Sequence, residues 1–227
     1  MADSCALDAA APALAAAGAR VVSADELTGV QALERTHPGL PPAPGTIERR
    51  EVAYIRHGTI TFILNRDVAT GRVIAPSYGP TRTEEDFVAH LKATVATDPQ
   101  ATRWHFVVDN LNTPQSAAAV RYAAAVAGLA ADLGSTGQSG LLASQASRAA
   151  FSRDPAHKVV FHSTPKHASW RNQIAVWLGI LPRTLLRRGS FRSTDDLVAR
   201  VLAFIAYDNQ TPAKPFTWTY QGQPLCD

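Results

Sequence analysis

The sequence predicts an α/β fold in which a mixed sheet is flanked by helices. Three observations carry that expectation. Strand-like segments cluster early in the chain, helical and strand-like segments then alternate, and the last part is helical. Two acids, Asp25 and Asp109, follow apolar strand-like runs, at the strand edge where open α/β sheets place their ligand sites.

The elements follow in order. Met1 to Gly18 is Ala-rich and reads as a helix or a frayed lead-in, which separates residues 1–19 from a main domain at 20–227. Arg20 to Ala24, with Val21 and Val22, reads as a short buried strand ending at Asp25. The LPPAPG run at Leu40 to Gly45 must be loop. Val52 to Arg56 and Thr59 to Asn65 read as two strands joined by a hairpin at His57-Gly58. Gly71 marks the next turn, and Arg72 to Tyr78 is a third strand. Thr83 opens a helix with Glu84, Glu85 and Asp86 in its first turn, where the helix dipole favours acids. Phe87, Leu91 and Val95 recur along it at helical spacing.

His105 to Val108 is a short apolar strand that ends at Asp109. Ser116 to Leu133 reads as helix, Gly134 to Gly140 as a polar break, and Ala143 to Phe151 as a short helix. Val159 to His162 is another buried strand. Trp170, Ile174, Trp177, Leu178, Leu181 and Leu185 fall on one helical face, which Pro182 should kink or split. Thr194 to Tyr207 is the last helix, with Ser193 as its N-cap.

Composition narrows the function classes. An apolar fraction of 46% in 227 residues supports a sizeable core. No uninterrupted apolar stretch of about 18 residues exists, so no membrane partner is expected. The Ala-rich start carries Asp3 and Asp8 and lacks a basic leader, so it is not read as a signal peptide. Cys5 and Cys226 sit near opposite ends and give neither a disulfide framework nor a metal spacing, which points to a reducing cytoplasm. The net charge is +3 and the pI about 9.1. Between Asp154 and Asp195 there is no acid, while Lys158, Lys166, Arg171, Arg183, Arg187, Arg188 and Arg192 are basic. Such a block suits a phosphate backbone, and it equally describes a solvated basic face.

Phosphodiester chemistry needs charge neutralisation at the attacking and leaving oxygens, which two divalent ions held by carboxylates supply. Asp25 in VVSADELTG and Asp109 in FVVDNLN suit two such ligands, and each equally suits a turn or cap. Glu26 should point to the opposite face from Asp25. His57, His105, His162 and His167 are scattered without the spacing of a zinc site. Lys166 and His167 suit phosphate contact better than general-base work, and Arg187 and Arg188 suit it for the same reason.

Several ordered blocks carry a resemblance. They are DELTGVQALER from Asp25, YIRHGT from Tyr54, DVATGRV from Asp67, RTEEDF from Arg82, VVDNLNT from Val107, TPKHASWRNQ from Thr164, LLRRGSF from Leu185 and PFTWTY from Pro215. In these the chain resembles transposases of bacterial insertion sequences related to the mariner group. The resemblance implies an RNase H-like fold, a triad of acids holding Mg²⁺ or Mn²⁺, and DNA as the partner. Carried over by position, Asp25 is the first acid and Asp109 the second. The third should be a Glu in the pattern W-x-N-Q-aliphatic-Glu, but Trp170-Arg171-Asn172-Gln173-Ile174 is followed here by Ala175. Lys166, His167, Arg171, Arg187 and Arg188 are the expected DNA contacts, read from their charge and position.

Two more departures stand out. Pro114 occupies the place of a histidine in the D-N-x-x-T-H pattern after the second acid. The stretch before Asp25 is too short for the helix-turn-helix modules of full-length relatives, so an N-terminally truncated product is expected. The resemblance therefore implies metal-dependent DNA cleavage and strand transfer, impaired at Ala175. The competing expectation is a non-catalytic DNA-binding remnant of a decayed or split element. The sequence leaves a homodimer open.

Overall fold

The computed structural model describes residues 2–109, 115–129, 132–164, 172–211 and 213–216. Five strands form one sheet in the order β3-β2-β1-β4-β5, with β1 at Ala19–Arg35, β2 at Tyr54–Asp67, β3 at Val73–Gly79, β4 at Arg103–Val108 and β5 at Val159–Ser163. The β1–β2 and β2–β3 pairs are antiparallel, whereas β4 lies parallel to β1 and β5 parallel to β4. Helices cover both faces: α1 (Ala2–Ala16), α2 (Glu84–Ala96), α3 (Ala117–Val126), α4 (Gln145–Ser152), α5 (Gln173–Leu181) and α6 (Thr194–Gln210). This order, with a three-strand antiparallel half joined to a parallel half, is the expected RNase H-like arrangement.

Strand periodicity assigns the faces. Val22 and Ala24 of β1 join Trp104, Phe106 and Val108 of β4 in a core closed by Phe87 and Leu91 of α2 and by Ala119 and Ala123 of α3. On the other face, Val21 and Val107 pack with Ala11 of α1. Farther along that face, Val30, Phe62 and Leu64 meet Ile174, Trp177 and Leu181 of α5 and Leu197, Val201 and Ile205 of α6. Burying each such side chain contributes on the order of 1.5–3 kcal/mol.

Two expectations about the strands need correction. β1 does not end at Asp25. It loses β4 as a partner after Ala24↔Val108 but keeps β2, and the pairing continues to Arg35↔Tyr54. Nor is His57-Gly58 a hairpin turn. Both residues lie within β2, where the register slips between Gln31↔Thr59 and Leu33↔Arg56. Gly58 takes φ 124° at this bulge, a backbone state that only glycine adopts readily. The connection between β1 and β2 is the segment containing the LPPAPG loop, closed by the bridges Leu40↔Arg49 and Ala43↔Thr46.

Helix ends follow local chemistry. Thr83 caps α2 in a reciprocal capping box with Asp86, as the sequence predicts for a helix start. α3 stops at Val126, short of the expected Leu133, because Gly128 turns left-handed at φ 70°. The N–H of Leu129 then donates to Ala124 O at 3.0 Å and that of Gly128 to Ala125 O at 3.1 Å, closing a Schellman motif. α5 gives way at Pro182 to a wide turn over Pro182–Leu186, where the Arg187 N–H reaches Pro182 O at 2.8 Å. α6 begins at the Ser193 cap and runs to Gln210.

Candidate functional site

The site is built where β4 stops and β1 runs on. Parallel pairing sets Ala24 opposite Val108, so Asp25 and Asp109 are the next residue on each strand. Period-two alternation puts Asp25 with Val21 and Ser23, and Asp109 with Val107, all on the α1/α5 face of the sheet. The two acids thus emerge side by side. Their proximity is felt electrostatically. The Asp25 carboxyl is pushed up to about 6, first by burial and further by the charges of Asp109 and Glu26, against the Glu26 N–H that donates to it at 2.8 Å. Asp109 is oriented by Thr164, whose hydroxyl donates to Oδ1 at 3.1 Å and whose N–H bonds Val108 O at 2.9 Å. Glu26 turns to the opposite face, as alternation predicts, and pairs with Arg82 at 2.9 Å.

The third position arrives on α5. Asn172, fully buried ahead of the helix, donates from Nδ2 to Ala24 O at 2.9 Å and accepts the Ser23 hydroxyl through Oδ1. The same Ser23 oxygen accepts the Ile174 N–H at 2.8 Å. The start of α5 is thereby fastened to the two β1 residues that precede Asp25. Ala175 lies in the first turn, its N–H bonded to Asn172 O at 2.9 Å, and its side chain is a half-buried methyl. Asp25 and Asp109 thus lie near each other, and the start of α5, which carries Ala175, is docked on the β1 residues just before Asp25. Asp25 and Asp109 offer carboxylate oxygens of the kind a divalent ion takes, and Ala175 offers none. Among the described residues no group of three or more His, Cys, Asp or Glu is placed to hold a metal.

The expected DNA contacts divide. Lys166, His167 and Arg171 lie outside the described residues, as do Trp170 and Pro114. Arg187 and Arg188 are exposed just beyond the Pro182–Leu186 turn. They line a groove of about 300 Å³ together with Arg35, Arg50, Glu48 and Leu40. Arg35 ends β1, ten residues past Asp25, so this basic groove lies roughly 30 Å along the ribbon from the acid pair. Sequence reasoning missed Ser23, Thr164 and Asn172. Thr164 and Asn172 belong to the TPKHASWRNQ block, and Ser23 is a lone polar residue in an otherwise apolar strand, which is the signal that could have found it. The histidines read as scattered include one close pair: His105 Nδ1 lies 3.0 Å from His162 Nε2 on the neighbouring strand. Burial, then His162 and Arg103, lower His105 to about 4.

The acid pair thus lies where β4 ends beside β1 in a mixed five-stranded sheet, with α5 docked next to it. A family description for DDE superfamily endonucleases matches residues 20–198, and the chain belongs to that family. Among solved structures, the crystal structure of the mariner Mos1 paired end complex with Mg is similar at 15% identity and a TM-score of 0.27, covering 87% of this chain and 57% of that one. No protein of curated function matches the sequence.

Proposed function

We propose that the chain is the catalytic domain of a transposase, built for metal-dependent DNA strand cleavage and transfer, and disabled for that chemistry by Ala175. The observation that carries this reading is the convergence of Asp25, Asp109 and the first turn of α5, with a methyl where the third carboxylate belongs. Divalent cations would supply charge neutralisation at the attacking and leaving oxygens of the phosphodiester. Asp25 and Asp109 would hold the cation, and its field would draw the Asp25 carboxyl back toward its ionised form. Thr164 keeps one Asp109 oxygen committed and so limits how that carboxylate can rotate. Nothing in the chain between Asp154 and Asp195 offers a substitute acid for position 175. Losing such a ligand removes on the order of several kcal/mol of transition-state stabilisation.

DNA is the proposed partner, engaged through its backbone by exposed arginines such as Arg187 and Arg188. Ala175 itself favours a second reading, in which the domain persists only as a DNA-binding remnant without catalysis. A nicking assay on supercoiled plasmid with Mg²⁺ or Mn²⁺ separates the two. The unmodified chain is expected to give negligible nicking under either reading. On the disabled-enzyme reading, Ala175→Glu restores metal-dependent nicking, alone or together with Pro114→His. Failure of both variants, with DNA binding intact, supports the remnant. Robust nicking by the unmodified chain, abolished by Asp109→Asn, would overturn the disabled reading.

A further inference from the structure

Ser23 and Asn172 form a reciprocal clamp that the metal-binding reading does not itself require. Asn172 is fully buried and Ser23 nearly so. They are 149 residues apart, yet the Ser23 hydroxyl donates to the Asn172 amide oxygen and accepts the Ile174 N–H. The Asn172 Nδ2 returns a bond to Ala24 O, the carbonyl adjoining Asp25. One hydroxyl thus satisfies the first turn of α5, and one amide spans from that turn to the strand. Asn172 precedes a helix otherwise dominated by apolar residues, so sliding α5 by one residue would leave buried donors and acceptors without partners. That costs on the order of 1–3 kcal/mol for each group. The clamp therefore fixes both the translation and the rotation of α5 relative to Asp25.

From this geometry we propose that Ser23 and Asn172 are positioning residues. They set the separation between Asp25 and the side chain at position 175, so that a carboxylate there can share a divalent cation with Asp25 and Asp109. The proposal rests on the metal-site reading above and adds the element that aligns the third position. Neither residue touches the cation. They act through the helix, as groups that orient ligands typically do, and loss of such a group weakens metal affinity about 10–100-fold.

The test is a double-mutant cycle on the full chain, with Mn²⁺ alone as the probe and binding read by electron paramagnetic resonance. Ala175→Glu should bind Mn²⁺ about tenfold or more tighter than the unmodified chain. Adding Ser23→Ala should return most of that gain, about tenfold, while Ser23→Ala in the unmodified chain should shift affinity by less than about twofold. Ser23→Thr, which keeps a hydroxyl, should keep the gain. A purely structural role would weaken both backgrounds alike, and equal effects would overturn the clamp while leaving the metal site standing. No gain from Ala175→Glu, in a chain that melts normally, would overturn the metal site and the clamp with it. Should Ser23→Ala fail to fold, Asn172→Gln completes the cycle, because it moves the same amide outward by one methylene.

Discussion

At the scale of single residues, Asp25 is the most informative group. Its folded pKa of about 6 lies above the usual 3.8, chiefly through burial. The fold therefore holds the proton more tightly than the unfolded chain does, and stability falls as pH rises from about 4 to 6. Above pH 6 the whole penalty is present, and below pH 4 it is absent. Asp25→Asn should therefore stabilise the protein by about 1–3 kcal/mol at pH 7.5 and by nothing measurable at pH 3.5, as read by urea unfolding. Equal effects at both pH values would contradict the burial argument. The sequence singles out the acids at 25 and 109 because each follows an apolar run, and Ala175 because it departs from a motif. The Ser23–Asn172 contact was not, since a hydrogen bond between distant residues depends on how α5 packs, and local sequence does not specify that.

At the scale of elements, most strands and helix starts could be read from periodicity and capping residues, as Thr83 and Ser193 illustrate. The course of β1 beyond Asp25 could not. Its residues Glu26 to Gly29 lack apolar alternation, and that part of the strand is held by pairing to β2, which is non-local information. The β2–β3 turn shows how the segment at residues 214–216 is held. Asp67 Oδ1 accepts the N–H groups of Ala69 and Thr70, and Gly71 takes φ 75°. A Cβ on Gly71 would stand 2.2 Å from Lys214 O, the oxygen that the buried Arg66 bonds while its guanidinium lies 4.1 Å over the Phe216 ring. Gly71→Ala should thus cost about 1–3 kcal/mol in thermal unfolding and speed proteolysis of the segment after α6. Unchanged proteolysis would argue against this anchorage. On α2, buried His90 is lowered to about 4, and its Nδ1 lies 2.8 Å from Ser77 Oγ. The unfolded chain takes up this proton first, so stability should drop as pH falls from 6.5 toward 4, by about 2 kcal/mol at pH 5 from this group. His105, lowered similarly, acts in the same direction. His90→Gln should flatten the slope of stability between pH 5 and 7, and an unaltered slope would assign the loss elsewhere.

At the scale of the whole molecule, the sheet order brings the end of β4, the middle of β1 and the start of α5 together, and sets the arginine groove at the far end of the β1–β2 ribbon. Fold class and family were legible because several motif blocks keep one order along the chain. The distance between the acid pair and Arg187 and Arg188 was not, because it depends on β1 running unbroken. DNA binding through backbone contacts should be weakly sequence-selective and steeply salt-dependent, since each phosphate contact releases counterions. Replacing Arg187 or Arg188 by Ala should lower the log–log salt slope by roughly one each, and a flat response in the unmodified chain would contradict a backbone footprint. If Asp25 and Asp109 hold a cation without a third carboxylate, a Mn²⁺ titration of the unmodified chain, with bound ions counted by electron paramagnetic resonance, will show it. The expected result is one weakly held ion, lost in Asp25→Asn and in Asp109→Asn; two tightly held ions, or binding indifferent to either substitution, would contradict it.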